Sequence, residues 1–321
     1  MLAPSPRRSP RRSRLIACAL AGVAAVLTAC GGNGASSGSG DGVTVTAAEF
    51  PWSAATLTNA VLAEVVARHP ELGVAEIETT ALGPAPAWAG AQRGDVDLLT
   101  EVALPNQQQL ADEAGDRMTL VHQTYGGAAQ GWFVPTYATQ PGRPLAGLTS
   151  VDQLNAYSDA LGGRLVDGDP SFITTQHNAS RLSGYGLNLQ QVTSSEAAQL
   201  AELRRAYERQ EPILVYLYHP HWVFTEFQMT QLQEPAPYQP DCFTTGTGAC
   251  AMNDYAAWTA ASDELRQEAP RFYALLERFE LPLPDVETML KSVDIDGQPV
   301  EEVARQWIEA NPQLVQQWLA S

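Results

Sequence analysis

From Val43 onward the chain alternates short strand-like runs with amphipathic stretches, and this order narrows the fold more than any other feature. Residues 43–48 are rich in Val and Thr and alternate, and Leu57, Val61 and Val65 then recur at helical spacing. Residues 74–80 alternate again, a helix carrying Trp88 follows, and 94–101 reads as a third strand with a turn before it. Residues 105–115 are helical in composition, and 118–122 and 131–135 are two more extended runs. A β-α-β-α-β order implies a parallel sheet with helices on both faces, so the class is α/β.

A second α/β unit is expected beyond a break at 137–149, where Pro141, Gly142, Pro144 and Gly147 cluster. It begins with a short strand at 163–166 and a helix that ends near 184–187. Thr193 and Glu196 have the spacing of a capping box, ahead of a helix that turns Leu200, Leu203 and Tyr207 inward. The stretch 211–222, Glu-Pro-Ile-Leu-Val-Tyr-Leu-Tyr-His-Pro-His-Trp, closes the unit. Its apolar, aromatic run at 213–218 reads as a buried strand, which Pro220 ends. Tyr218, His219, His221 and Trp222 are thereby delivered to the strand's carboxyl end, where open α/β sheets hold ligands. Residues 232–237 read as a return crossing. The remainder is expected to be helical at 253–268, 271–279 and 285–293, followed by two helices with Trp307 and Trp318 in the core. Pro299 and Pro312 suit first-turn positions.

The first 29 residues stand apart. Arg7, Arg8, Arg11, Arg12 and Arg14 precede an apolar run at 15–27 that is too short to span a bilayer, which is the order of a secretory signal peptide. Leu-Thr-Ala-Cys at 27–30 resembles a bacterial lipobox, with Cys30 as the lipidated first residue of the mature protein. The Gly/Ser/Asn run that follows, to residue 42, suits a flexible tether. Attachment to the outer face of the cell membrane is expected through that lipid. Beyond residue 29 the chain keeps 14 of its 19 basic residues and all 36 acids, with Lys291 as its one lysine. Such a surface argues against nucleic acid and anionic lipid as partners. Cys242 and Cys250 are expected to pair in an oxidising compartment, with metal ligation by the two thiols as the alternative.

Phosphate loops, dinucleotide fingerprints and Ser nucleophile elbows do not occur, so no cofactor is expected. Asp95, Asp97 and Glu101 read as turn formers and helix-dipole partners before they read as acid and base. His219 and His221 would share one side of a strand end, and a surface metal-dependent hydrolase built on them is an alternative from a different class. What recurs instead is an aromatic residue just after a strand or turn: Trp52, Phe172, Tyr218 and Trp222. Ring faces attract a cation by about 0.5–2 kcal/mol each, so a cage of them holds a quaternary ammonium that cannot donate a hydrogen bond.

Six stretches, in order, resemble the glycine betaine/choline/proline betaine binding proteins of bacterial ABC importers. They are Gly-Asp-Val-Asp at 94–97, Glu-Val-Ala-Leu-Pro-Asn at 101–106, Gly-Gly-Ala-Ala-Gln-Gly-Trp-Phe-Val-Pro at 126–135, Tyr-Gly-Leu at 185–187, the run 212–222, and a tail matching at 289–293, 307–311 and 318–319. The resemblance implies a two-lobed periplasmic-binding-protein-like fold of type II, each lobe a sheet flanked by helices, joined by two crossing strands and closing by hinge motion. It implies a binding protein, not an enzyme, that hands a quaternary ammonium or related zwitterion to an importer permease. The same fold tuned to another polar solute is the runner-up. On this reading lobe 1 comprises 43–138 and 232–321, and lobe 2 comprises 139–231. Members of that family usually carry Trp where this chain has Ala103, Phe172 and Tyr218, so one cage wall is missing and two are altered. A larger or differently shaped ligand, or a compensating ring from Trp52 or Trp88, is therefore expected. The resemblance places ligand carboxylate binding on the backbone near Glu49 and Phe50 and on His221.

Overall fold

The computed structural model describes residues 42–320. The expected signal peptide at 1–29, Cys30 and all but the last residue of the tether lie outside the described residues. Two five-stranded sheets organise the rest. The first is built from β1 (Val43–Glu49), β2 (Val74–Ala81), β3 (Leu98–Leu104), β4 (Met118–Ala128) and β10 (Tyr255–Ser262), in the order β2-β1-β3-β10-β4. The β1 strand pairs in parallel with β2 and β3, whereas β10 runs antiparallel to both β3 and β4, so the sheet is mixed. Around it pack α1 (Ser53–Arg68), α2 (Pro84–Arg93), α3 (Gln108–Ala114) and the C-terminal helices α7 (Asp263–Glu268), α8 (Pro270–Leu276), α9 (Leu283–Asp294), α10 (Val300–Ala310) and α11 (Pro312–Leu319).

The second sheet contains β5 (Gln130–Pro135), β6 (Arg164–Asp167), β7 (Gln190–Thr193), β8 (Val215–Tyr218) and β9 (Met229–Gln231), in the order β7-β6-β8-β5-β9. It carries α4 (Ile173–Gly184), α5 (Glu196–Glu208) and the single turn α6 (Val223–Glu226). Each lobe has the expected helix-flanked sheet. In α1, Leu57, Val61, Leu62 and Val65 are fully buried against the first sheet. Removing a side chain of that size from water stabilises by roughly 1.5–3 kcal/mol, which fixes the helix and thereby its N-terminus. Trp318 is buried in the same core and stacks 6.0 Å from Trp307.

Four expectations need correction. The segment at 255–262 is not helical but is strand β10, between β3 and β4 in the first sheet. Its sequence, Tyr-Ala-Ala-Trp-Thr-Ala-Ala-Ser, favours helix by propensity, but a strand closely packed on both faces needs small side chains, and that packing prevails. The lobe boundaries expected at 138 and 232 fall inside the second lobe. Because β5 pairs with β8 and β9, the first crossing lies at Ala129, and Met252 packs in the second lobe's core, so the return lies just before Tyr255. The Pro/Gly cluster at 141–147 marks a loop of the second lobe, whose Leu145 and Leu148 are buried in that core. The cap of α5 is Ser195, whose hydroxyl accepts from the Ala198 amide at 3.4 Å, and not a box from Thr193 to Glu196. Pro299 is the N-cap of α10, while Pro312 does open α11. A disulfide joins Cys242 to Cys250, and its loop lies on α4, where Cβ atoms added to Gly184 or Gly248 would strike backbone at 2.3 Å.

Candidate functional site

The carboxyl ends of β1, β3 and β8 meet at a cleft between the two sheets, and a cavity opens there. The first lobe contributes Trp52, Glu101, Ala103 and Tyr255, and the second contributes Phe172, Thr174, Tyr216 and Tyr218. The side-chain amides of Asn106, Gln107 and Gln130 complete much of the wall. Trp52 leaves β1 just before α1, stacks 4.7 Å from the Phe50 ring and meets the Phe172 ring edge-on at 5.2 Å across the cleft. Gly168 lets Phe172 lie against the backbone, since a Cβ there would come within 3.0 Å of the ring. Tyr216 and Tyr218 alternate with Leu217 along β8 and so reach the same side of the sheet, with ring centroids 6.0 Å apart.

Glu101 is the one charged residue in the wall, and it is 2% exposed. It adopts φ 60°, in the left-handed region where a non-glycine residue is strained. The pairing explains why. Trp258 and Ala260 on β10 oppose Val102 and Leu99 on β3, so Thr100 and Glu101 together face the single residue Thr259. This two-against-one count is a β-bulge, a device that re-aims a side chain beside a functional cleft. The Glu101 carboxylate accepts from the Thr58 hydroxyl at 3.0 Å and from the Tyr125 hydroxyl, both neutral donors. Burial pushes its carboxyl up to about 7, against the opposing pull of those hydrogen bonds.

A second buried carboxylate lies nearby, on the other lobe. Glu196, the first residue of α5, accepts from the Ser53 amide at 2.9 Å, the Ser53 hydroxyl at 3.1 Å and the Tyr218 hydroxyl. Ser53 is the first residue of α1, so two helix N-termini converge on one carboxylate and favour its charge. His221 Nδ1 accepts from the Val223 amide at 3.1 Å, which leaves its Nε2 proton facing Glu196 at 3.6 Å. Burial pushes the Glu196 carboxyl up, but His221, Tyr218 and Ser53 together hold it below the usual range. Further contacts bridge the lobes: His219 with Glu287 at 2.8 Å, Lys291 with Glu226 at 2.6 Å, and Asn106 with Gln130 at 3.2 Å. Gly83 faces Ser171 across the cleft so closely that a Cβ would sit 2.8 Å from the serine Cβ.

Of the residues expected at the site, Trp52, Ala103, Phe172 and Tyr218 line the cavity. Glu49, Phe50 and His221 do not. The Glu49 carbonyl accepts from Leu82 and the Phe50 carbonyl from Trp52, and the Phe50 ring is buried in the first lobe. His221 is turned by the Val223 amide so that its Nε2 lies 3.6 Å from Glu196 without a hydrogen-bond partner. Trp88 is buried and donates to Gln107 at 2.9 Å, so of the two rings expected to compensate for Ala103 it is Trp52 that reaches the cavity. His219 and His221 are held by different partners, which does not favour the hydrolase alternative. Reading the sequence missed Tyr216, Tyr255, Gln130 and the placement of Glu101. The period-2 pattern of β8 was the available signal for Tyr216.

Comparison with known proteins gives a consistent picture. The family model described as the substrate binding domain of ABC-type glycine betaine transport systems (OpuAC) matches residues 43–310. A glycine betaine/carnitine transport binding protein of Listeria monocytogenes is 31% identical over 131 residues, 41% of this chain and 39% of the relative, so well under two thirds of its length is matched. Lactococcal OpuAC, closed on glycine betaine, superposes with a TM-score of 0.72 at 22% identity, covering 87% of this chain and all of that one. A choline binding protein in complex with choline also scores 0.72, at 20% identity over 86% of this chain and 91% of its own. At such identity these structures establish the two-lobed fold. No helix among the described residues is long and apolar enough to cross a membrane.

Proposed function

This chain belongs to the family of substrate binding domains of ABC-type glycine betaine transport systems, and from that premise we propose that it captures a quaternary ammonium compound or related zwitterion outside the cytoplasm for import. The ligand sits between Trp52, Phe172, Tyr216, Tyr218 and Tyr255, with Ala103 leaving space where another ring would stand. A cavity walled by Trp52, Phe172, Tyr216, Tyr218 and Tyr255 around a buried acid with no basic residue beside it is the observation that carries this reading. Each ring contributes roughly 0.5–2 kcal/mol toward a desolvated ammonium, and none of them needs a hydrogen-bond donor from the ligand. Tyr255 lies at the start of β10, beside the return crossing, and its hydroxyl donates to the His219 carbonyl at 2.6 Å. Closure of the lobes therefore assembles the cage and opening releases the ligand unchanged, the hinge motion of a receptor and not the cycle of an enzyme.

Two further elements complete the proposal. Lipidation of Cys30 holds the protein at the outer face of the cell membrane, and a permease takes the ligand from the opened cleft. Support for the anchor lies in the Leu-Thr-Ala-Cys stretch and the Gly/Ser run that follows it. Titration calorimetry of purified protein with choline and glycine betaine tests the receptor. Tyr218→Ala is expected to weaken binding of whichever ligand binds by at least tenfold, because it removes a ring face together with a partner of Glu196. Unchanged affinity would exclude the cage.

A further inference from the structure

We infer that the cage selects a permanently cationic quaternary ammonium without a carboxylate, rejecting zwitterionic betaines, with Glu101 as the attracting residue. This inference rests on the receptor reading above and narrows its ligand class.

The first ground is the charge of the wall. Glu101 is the single charged side chain lining the cavity, and neither Arg, Lys nor His lines it. Its neighbours on every packed element are neutral: Thr58 on α1, Tyr125 on β4, and Trp52 ahead of α1. A buried carboxylate without a cationic partner is costly, and a cation arriving in the cavity supplies the missing partner. A ligand bearing its own carboxylate brings a like charge to the same desolvated space, where repulsion is poorly screened.

The second ground is the state of the donors. The three tyrosine hydroxyls of the wall are already used: Tyr216 donates to Gln130, Tyr218 to Glu196 and Tyr255 to the His219 carbonyl. The Gln130 amide is engaged on both sides as well, donating to Asn106 and the Asn253 carbonyl while accepting from Tyr216 and Asn106. A hydroxyl, which both donates and accepts, fits among such groups, whereas a carboxylate needs free donors. Choline and glycine betaine share the trimethylammonium group and differ in this respect alone, which makes them the decisive pair.

Calorimetric titration of the purified protein with choline, tetramethylammonium and glycine betaine tests the inference, first on the natural sequence and then on Glu101→Gln. Choline is expected to bind at least tenfold more tightly than glycine betaine, with tetramethylammonium also ahead of glycine betaine. Glu101→Gln should weaken choline about tenfold and leave glycine betaine unchanged or improved, so that the ratio collapses. Glycine betaine binding as tightly as choline to the natural sequence overturns the inference and leaves the receptor intact, and that measurement needs no variant to fold. An unchanged ratio in Glu101→Gln also overturns it. If none of the three binds, the receptor reading itself falls.

Discussion

Two carboxylates flank the same cleft at nearly equal burial, and their surroundings treat them in opposite ways. Glu101, on the bulge of β3, meets two neutral hydroxyls and has its carboxyl pushed up to about 7. Glu196, at the start of α5, meets two helix N-termini, an imidazole and a phenol, and is held down. Burial alone therefore does not decide whether an acid stays charged, because the donors and dipoles around it do. The functional consequence follows from which charge is already used. The charge of Glu196 is consumed in tying the second lobe to the first through Ser53, whereas that of Glu101 is left facing the cavity.

The largest test of this contrast is Glu196→Ala. It strands the Ser53 amide and the Tyr218 and His221 donors around a buried gap, each stranded donor costing on the order of 1–3 kcal/mol. A loss of about 3–5 kcal/mol in urea unfolding at neutral pH is expected; a loss below 1 kcal/mol would mean that water replaces the carboxylate and that no tie exists.

The opposite sign is expected for Glu101→Gln. In the unfolded chain the Glu101 carboxyl titrates near 4.5, and in the folded protein at about 7. The folded state thus holds the extra proton, and the stability this group contributes is fully present below pH 4.5 and lost as pH rises through 7. At about 1.4 kcal/mol per pH unit, the loss is on the order of 3 kcal/mol. Relative to the natural sequence, Glu101→Gln should therefore gain stability across that interval, and urea unfolding at pH 5 and pH 8 reads the gain. A constant difference between the two proteins at both pH values would show that Glu101 titrates normally.

The same contrast separates what could be read in the sequence from what could not. Strand β8 was legible because an apolar run stops at Pro220, and Trp52, Phe172 and Tyr218 because aromatic residues at strand ends and turns have few other uses. Strand β10 was not, since an alanine-rich run carries no period and only the layers on both faces make it extended. Glu101 looked like a turn former, as did Asp97, whose carboxylate in fact accepts from the Thr46 amide of β1 at 2.9 Å. The bulge that aims Glu101 inward depends on how β10, more than 150 residues later, pairs with β3. His221 was assigned a ligand contact because local sequence cannot show that the Val223 amide turns its ring toward the N-terminus of α5 in its own lobe.

Ala103→Trp gives the smallest effect and asks whether rings and charge are interchangeable. Ala103 lies on β3, two residues beyond Glu101, and pairs with Ala257, so its side of the wall is built from small groups. The first lobe thus sets a carboxyl group between Trp52 and Tyr255, where the second offers Phe172, Tyr216 and Tyr218 alone. A tryptophan at 103 adds one ring face, worth roughly 0.5–1 kcal/mol toward a cation, and a gain of about two- to fivefold in tetramethylammonium affinity is expected by calorimetry. If the volume beside Ala103 is already used by Trp52, the new ring instead fills ligand space and affinity falls. In the Glu101→Gln background the gain should persist but recover only part of the lost affinity, because a quadrupole attracts an ammonium less strongly than a buried anion does. Full recovery would mean that the cage needs rings alone, and would remove Glu101 from its role in selecting charge.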